Sequence, residues 1–436
     1  MNEKKLSFIH TADIHLGRIP HVGLEISNNI NKLINNAVFT AFEKIVQYAI
    51  ENNVDFIIIA GDLYDSGFRT VQSRKIFYEG SLRLKENNID IYLIRGNHDA
   101  FGGEKNLFDL PSNVYEFTSD AAQGISVIKN DICVANVIGQ SYRGKSERRK
   151  LQQNYSNFKH DAFNIGILHT GLEANKSNYV PCSLSELKEV ENIHYWALGH
   201  IHKKQVIMEE KPTVIYPGTP QGTDINEEGV CGCCLVKVDY DNNIEYEFLD
   251  TASIVWKKVN IDLTKYNLKN INELQELLMN KGEEIITNSG IKGYAIRWII
   301  EGQTELNSVL REDEENTLNY LMETLNAYFL DKTPFLISDS IILKTIDRID
   351  ELSKNIQNNE ILKELEIIFQ RLYNEENFKE DLLNNLGNIF EKNVDPENIN
   401  EMKFLLQDEF IQDIIGEAKN LIYQQLLKEG DFIEDK

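Results

Sequence analysis

Leu6-Ser-Phe-Ile-His-Thr-Ala-Asp13-Ile-His15-Leu-Gly17 decides how this chain is read: an apolar run of strand length ends in an Asp-x-His pair and a glycine. The same pattern returns four times. Val54 to Ala60 runs into Gly61-Asp62, Ile89 to Ile94 into Gly96-Asn97-His98-Asp99, Asn164 to Leu168 into His169, and His194 to Leu198 into Gly199-His200-Ile-His202. Short apolar runs bounded by Gly and Asp read as buried strands with chemistry-bearing loops at their ends. Their side chains can therefore converge at one end of a single sheet, the layout of a two-metal hydrolase.

Any one of these motifs alone is incidental. The joint pattern is not, because five of the nine histidines (His15, His98, His169, His200, His202) directly follow an apolar strand. Two divalent ions roughly 3.5–4 Å apart need a shared bridging ligand and several N or O donors each. Carboxylate, imidazole and amide oxygen are all present and thiolate is absent, which suits Mn, Fe or Zn, with Mg also open. Asp13, His15 and His202 are assigned to one metal and Asn97, His169 and His200 to the other. Asp62 is the bridge, since its two charged oxygens can face both cations.

In order, Asp-x-His, Gly-Asp-x-x-Asp (Gly61 to Asp65), Gly-Asn-His-Asp, His and Gly-His-x-His resemble the calcineurin-like metallophosphoesterase superfamily. Ile9 to Gly17, Gly61 to Asp65, Tyr195 to His202 and the turn Tyr216-Pro-Gly218 look closest to its SbcD-like DNA repair nucleases, in particular the YhaO-type branch. The resemblance spans about residues 5–250 and fades over the next hundred. It implies the metal assignment above, makes His98 a catalytic histidine and implies a coiled-coil ATPase of the SbcC type as partner. Independently, His98 adjoins Asn97, and neighbouring residues do not easily both ligate, so His98 is better placed as a general acid toward the leaving group. Asp99 is read either as the carboxylate that orients His98 or as a loop cap. Asp65 stands where some related nucleases carry a histidine, which leaves open what touches the nucleotide beyond the metals.

The chain of 436 residues is long enough for two or three domains, and 42% hydrophobic with 26% charged residues describes an ordinary globular protein. Lys4 and Lys5 precede too few apolar residues for a signal peptide, and no run approaches the roughly 20 apolar residues of a membrane span. An odd count of five cysteines is consistent with a reducing cytoplasm. Cys231, Cys233 and Cys234 lie in a strand-like stretch and read as buried thiols rather than a zinc site. A net charge of −24 argues against strong unaided binding to a polyanion. Part of that charge is terminal: residues 351–436 hold 20 acidic and 9 basic side chains, a balance of −11. One stretch is basic, with Arg143, Lys145, Arg148, Arg149 and Lys150. It could hold a phosphate backbone or be a solvated connection.

The fold class is α/β: a metallophosphoesterase two-sheet α/β sandwich, with a small α+β capping domain and a C-terminal helical region. The expected domains are a nuclease domain over 1–252, a capping and DNA-binding domain over 253–349, and a helical region over 350–436, read either as an appendage packed on its own protein or as a docking surface for a partner. Asn31 to Asn53 and Thr70 to Asn87 carry helical periodicity. Residues 254–344 repeat strand, helix, strand, helix, strand. Stripes at Ile361, Leu362, Leu365, Ile368, Phe369 and Leu372, and at Met402, Leu405, Leu406, Phe410, Ile414 and Ile415, read as helices. The leading functional expectation is a two-metal DNA exonuclease, with endonuclease action open, in DNA repair or end processing. The alternatives are a small-molecule or nucleotide phosphodiesterase and a weakly active scaffold subunit. A homodimer is the prior for such a protein.

Overall fold

A computed structural model describes residues 4–22, 28–65, 67, 69–100, 109–158, 162–172, 178–286, 290–347, 360–375 and 415, 416, 418, 419 and 422. Two six-stranded sheets dominate it. The first is ordered β12-β11-β1-β2-β3-β4, built from β1 (Lys4–Thr11), β2 (Phe56–Ala60), β3 (Asp90–Ile94), β4 (Val114–Glu116), β11 (Gly232–Asp239) and β12 (Ile244–Asp250). The second is ordered β5-β6-β7-β8-β10-β9, built from β5 (Gln123–Lys129), β6 (Ile132–Gly139), β7 (Phe163–His169), β8 (Tyr195–Gly199), β9 (Gln205–Met208) and β10 (Thr213–Tyr216).

Strands β1 to β4 run parallel, as do β6, β7, β8 and β10, while antiparallel hairpin strands sit at the sheet margins. Central parallel strands are covered on both faces and so carry no polar alternation. Accordingly β2, β7 and β8 are buried at every position. Phe8, Phe56, Ile58, Tyr92 and Ile94 from one sheet meet Val137, Ile165, Ile167, Tyr195 and Ala197 from the other in a shared core. The outer face of the first sheet is covered by α2 (Ala37–Glu51) and α3 (Val71–Glu86). Ala37, Val38, Ala41, Phe42, Ile45, Val46 and Ala49 form the buried stripe of α2, spaced at the three-to-four residue interval of a helix face. The Thr70 hydroxyl caps α3 by accepting the Ser73 N–H at 3.1 Å.

Two expectations are corrected. The motif-bearing strands do not belong to one sheet: β1, β2 and β3 are in the first, β7 and β8 in the second. Convergence comes from two stacked sheets whose parallel strands end on the same side. The single helix over residues 31–53 is two, α1 (Asn28–Asn35) and α2, parted at Asn36.

A third sheet, β13-β14-β15, joins Ile254–Asp262, Gly293–Gln303 and Phe335–Ile346, with helices Ile271–Ile285, Asn307–Glu312 and Glu314–Phe329 between the strands. The chain divides into two compact units. The first comprises Met1–Asn260, Leu274–Ile299 and Glu315–Ile342; the second comprises Ile261–Glu273, Ile300–Glu314 and Leu343–Lys436. In the second unit the helix Glu360–Asn374 packs Phe369 and Leu372 with Ile415. The stripe from Met402 to Ile414 lies outside the described residues.

Candidate metal centre

The loops that leave β1, β2, β3, β7 and β8 meet at one end of the sandwich, and their backbones are tied together first. Asp13 N–H donates to Gly61 O, His15 N–H to Asp62 O and Leu16 N–H to Leu63 O, at 2.8–3.1 Å. Four of the expected ligands adopt left-handed backbone: Asp13, His15 and Asp62 at φ of 50–53° and His200 at 97°. Such conformations cost of order 1–3 kcal/mol each and persist where surrounding structure demands them, characteristically at functional sites. Gly61, at φ 96°, is required twice over, because a Cβ there would lie 2.3 Å from His169 Nδ1.

Asp13, His15 and His202 bring their ligand atoms within 4.8 Å of one another. His15 Nε2 lies 3.3 Å from His202 Nε2, with Asp13 Oδ1 at 3.9 Å from the latter. His202 Nδ1 faces Glu227 Oε1 at 2.5 Å, so it donates there and its Nε2 lone pair points toward His15. Burial pushes His15 down to about 3, so it stays neutral, the form in which imidazole ligates. Two facing imidazole nitrogens beside a buried carboxylate fit one divalent cation.

A second convergence lies around His169, which is fully buried. Its Nδ1 donates to Ala60 O at 2.9 Å, which leaves Nε2 3.0 Å from Asn97 Oδ1 and 3.4 Å from Asp62 Oδ2. Asp13, Asp62 and His169 form a further group within 4.8 Å, so Asp13 is common to both convergences and Asp62 stands beside His169 in the second. Burial penalises ionised Asp62, but His169 beside it outweighs this and holds the carboxyl below its ordinary range. Burial, reinforced by Asp62, raises Asp13 to about 6. His200 is packed edge-on against His169 with centroids 5.2 Å apart, and its backbone N–H donates to Asp13. Burial, reinforced by His169, pushes it down to about 3. Its ring is not in the tight groups, although it is adjacent to them. Burial disfavours a charged His169, but Asp62 and Asp13 outweigh it and raise the ring to about 9, holding a proton that a bound cation would displace. Buried carboxylates, imidazoles and an amide oxygen, without thiolate, are a hard-to-borderline donor set suited to two divalent ions.

His98 is more exposed, although with His15 and Asp65 it forms a third group whose ligand atoms lie within 4.8 Å of one another. Its backbone N–H donates to Asp62 Oδ1 at 2.8 Å, while its side chain is 37% exposed beside the His15 ring. Its Nδ1 is 3.8 Å from Asp65 Oδ2, an ion-pair separation longer than a hydrogen bond. Asp65 raises His98, and His98 in turn holds Asp65 down at about 2. Asp65 Oδ2 is also 3.9 Å from His15 Nδ1.

Asp99 does not orient His98. Its Oδ1 accepts Gly96 N–H at 2.8 Å, and its Oδ2 accepts Leu63 N–H at 2.9 Å and Tyr64 N–H at 3.4 Å. The carboxylate thus clamps the Asp62 loop to the Asn97 loop, and Asp65 is the acid beside His98. The basic stretch is partly spoken for. Arg149 pairs with Glu147 and donates to Ser119 O, Lys150 pairs with Glu186, Arg143 with Asp120, and Arg148 donates to Asn178. Arg149 and Lys150 are thus held by Glu147 and Glu186, while Arg143, Lys145 and Arg148 remain exposed. Cys233 and Cys234 are buried in β11, and Cys231 is half-buried. Among the described residues none of the three joins a metal-competent group.

Glu227 is the residue that sequence reading passed over. It follows no strand, and the only signal nearby is the Glu228-Gly229 turn.

Residues 6–204 match the calcineurin-like phosphoesterase family. The chain is 33% identical over 306 residues to an uncharacterized metallophosphoesterase, YhaO, of Bacillus subtilis, covering 68% of this chain and 74% of that protein. It is 27% identical over 224 residues to the DNA double-strand break repair protein Mre11 of Methanocaldococcus jannaschii, covering 50% of this chain and 57% of the relative. The protein of that name from Sulfurisphaera tokodaii is 25% identical over 342 residues, covering 72% and 79%. No helix among the described residues is long and apolar enough to cross a membrane. With the strand-end ligands converging as described, the chain belongs to the calcineurin-like phosphoesterases and is a metal-dependent hydrolase.

Proposed function

We propose that this hydrolase cleaves phosphodiester bonds in DNA, as an exonuclease in repair or end processing, with Mn as its working metal and a coiled-coil ATPase of the SbcC type as its partner. In this reading Asp13, His15 and His202 hold one ion, Asn97, His169 and His200 the other, and Asp62 lies between them. The bound ions would supply charge neutralisation for the phosphoryl oxygens and a lowered pKa for the attacking water. The chain's own residues do the rest. Asp62 fixes the His98 backbone at the edge of the centre. The His98 ring, open to solvent on one side, turns Nδ1 toward Asp65 and keeps Nε2 to carry a proton to the departing oxygen. Gly96 and Asp99 keep the Asp62 and Asn97 loops in register.

The observation that carries the reading is the placement of His98, solvent-open yet tethered to Asp62 at the meeting point of both convergences. Likeness to two archaeal proteins named for DNA double-strand break repair supports DNA over other esters. Hydrolysis of a small phosphodiester is the second reading, favoured by the net charge of −24 and the carboxylate partners of the basic stretch. The test is Mn-dependent cleavage of labelled linear DNA against a chromogenic phosphodiester, with and without the ATPase, and with His98→Ala as control. Cleavage of the small ester with no DNA cleavage in either condition would sink the nuclease reading.

A further inference from the structure

We infer that Glu227 is a positioning residue for His202, and that the turn carrying it is part of one of the two metal positions. The inference rests on the metal centre proposed above. It does not depend on which phosphodiester is cleaved.

Glu227 is 9% exposed at its side chain, and both of its oxygens are committed. Oε1 faces His202 Nδ1 at 2.5 Å; Oε2 accepts the Thr223 N–H at 2.5 Å and the Thr223 hydroxyl at 3.0 Å. The carboxylate therefore cannot rotate away from the ring without leaving a buried backbone N–H unpaired. That fixes three properties of His202 at once: its Nδ1 is the protonated nitrogen, its ring plane is set, and its Nε2 lone pair is directed toward His15 and Asp13. A carboxylate behind a ligating imidazole raises the basicity of the ligand and orients it, and its removal characteristically costs ten- to a hundredfold in metal affinity.

The turn is itself tied to the centre at Thr219 and braced at Gly222 and Thr223. Thr219 N–H donates to His202 O, and the Thr219 hydroxyl donates to Asp13 O at 2.9 Å. His21 N–H donates to Thr223 O at 2.9 Å, and Trp256 Nε1 donates to Gly222 O at 3.0 Å. His169 has only a backbone carbonyl, Ala60 O, behind its Nδ1, so the two convergences differ in kind. One is oriented by neutral backbone; the other is oriented by a charge delivered from the turn over 219–227. Loss of Glu227 should weaken the position at Asp13, His15 and His202 and spare the one at Asn97, His169 and His200.

Glu227→Gln is the sharpest variant. An amide offers one acceptor and one donor, so it can serve His202 or Thr223 but not both. The experiment is competition of Mn2+ and of Zn2+ against a chromophoric chelator for metal-free wild-type protein, E227Q and E227A, alongside thermal melts of the metal-free proteins. A long-range 1H–15N spectrum of the Zn-loaded wild type reports the His202 tautomer without any variant. Expected are two binding steps in the wild type, one of them weakened at least tenfold in both variants while the other is unchanged, and an Nδ1–H tautomer at His202. Wild-type affinities at both positions, equal weakening of both, or an Nε2–H tautomer would each overturn the inference; should neither variant fold, the tautomer alone decides it. If two metals bind as expected while DNA is not cut, the nuclease reading fails and Glu227 stands.

Discussion

Gly96→Ala adds one methyl group at the most crowded point of the centre. The new Cβ would lie 2.4 Å from Asp62 Oδ1 and 2.7 Å from His169 Nε2, where ordinary contact begins at 3.4 Å, so something must move by about 1 Å. Backbone strain is not the issue, because Gly96 is not among the positive-φ residues. Two routes of relief are open. The Gly96 loop can back away, which stretches the Gly96 N–H to Asp99 bond of 2.8 Å and the His98 N–H to Asp62 bond of 2.8 Å. Overpacking of this kind typically costs about 1–3 kcal/mol of stability. Alternatively Asp62 and His169 can turn aside, and because metal–ligand distances tolerate only about 0.2 Å, a displacement of about 1 Å removes both as ligands. Either way Asp62, His169 and His98 lose their common register. A misplacement of that size costs on the order of 100-fold in rate. The assay is Mn-dependent hydrolysis of a chromogenic phosphodiester by wild type and G96A, with Mn stoichiometry from chelator competition and a thermal melt of the metal-free proteins. G96A should retain a cooperative melt, lose at least 100-fold in kcat/KM and bind fewer than two ions tightly. Two tight ions and wild-type kcat/KM in G96A would refute the placement of Asp62 and His169 around a metal.

Other perturbations separate the parts of the site. Asp99→Ala strands two buried backbone N–H groups, of Gly96 and Leu63, and removes a longer contact to the part-buried Tyr64 N–H; at about 1–2 kcal/mol for each buried group it should cost roughly 2–4 kcal/mol, read as a lowered denaturation midpoint, and an unchanged midpoint would contradict the clamp. His98→Ala should lower kcat by about 10²–10⁴-fold while both metals still bind, as expected for loss of a proton donor; loss of a metal instead would make His98 a ligand. Arg149→Ala leaves the mostly buried Glu147 without its bidentate partner, 35% exposed on the Arg side; with solvent screening it should cost about 1–2 kcal/mol and leave hydrolysis of the small ester untouched. A drop in DNA cleavage beyond that shared by the small ester would return the segment to a nucleic-acid role.

What the sequence made legible was what each strand carries with it. The residues Asp13, His15, Asp62, Asn97, His98, His169, His200 and His202 each sit within a few positions of an apolar run, and chain order alone brings the ends of parallel strands to one side. Which sheet each run joins was not legible, because β7 and β8 are as uniformly buried as β2 and look alike in one dimension. The role of Asp99 was hidden for another reason: its partners Leu63 and Tyr64 are backbone groups about 35 residues away, and backbone partners leave no trace in residue type. The same distance effect concealed Glu186 from Lys150 and Asp120 from Arg143, so a run of five cations looked freer than it is. Glu227 lies 25 residues beyond His202 in a turn with no periodicity, and only the folded turn brings the two together.

Anomalous diffraction from crystals of Mn-loaded protein tests the centre most directly. Two peaks roughly 3.5–4 Å apart are expected, one bounded by Asp13, His15 and His202, the other by Asn97, His169 and His200, with Asp62 touching both. A single peak, or two peaks that Asp62 does not join, would contradict the two-metal centre.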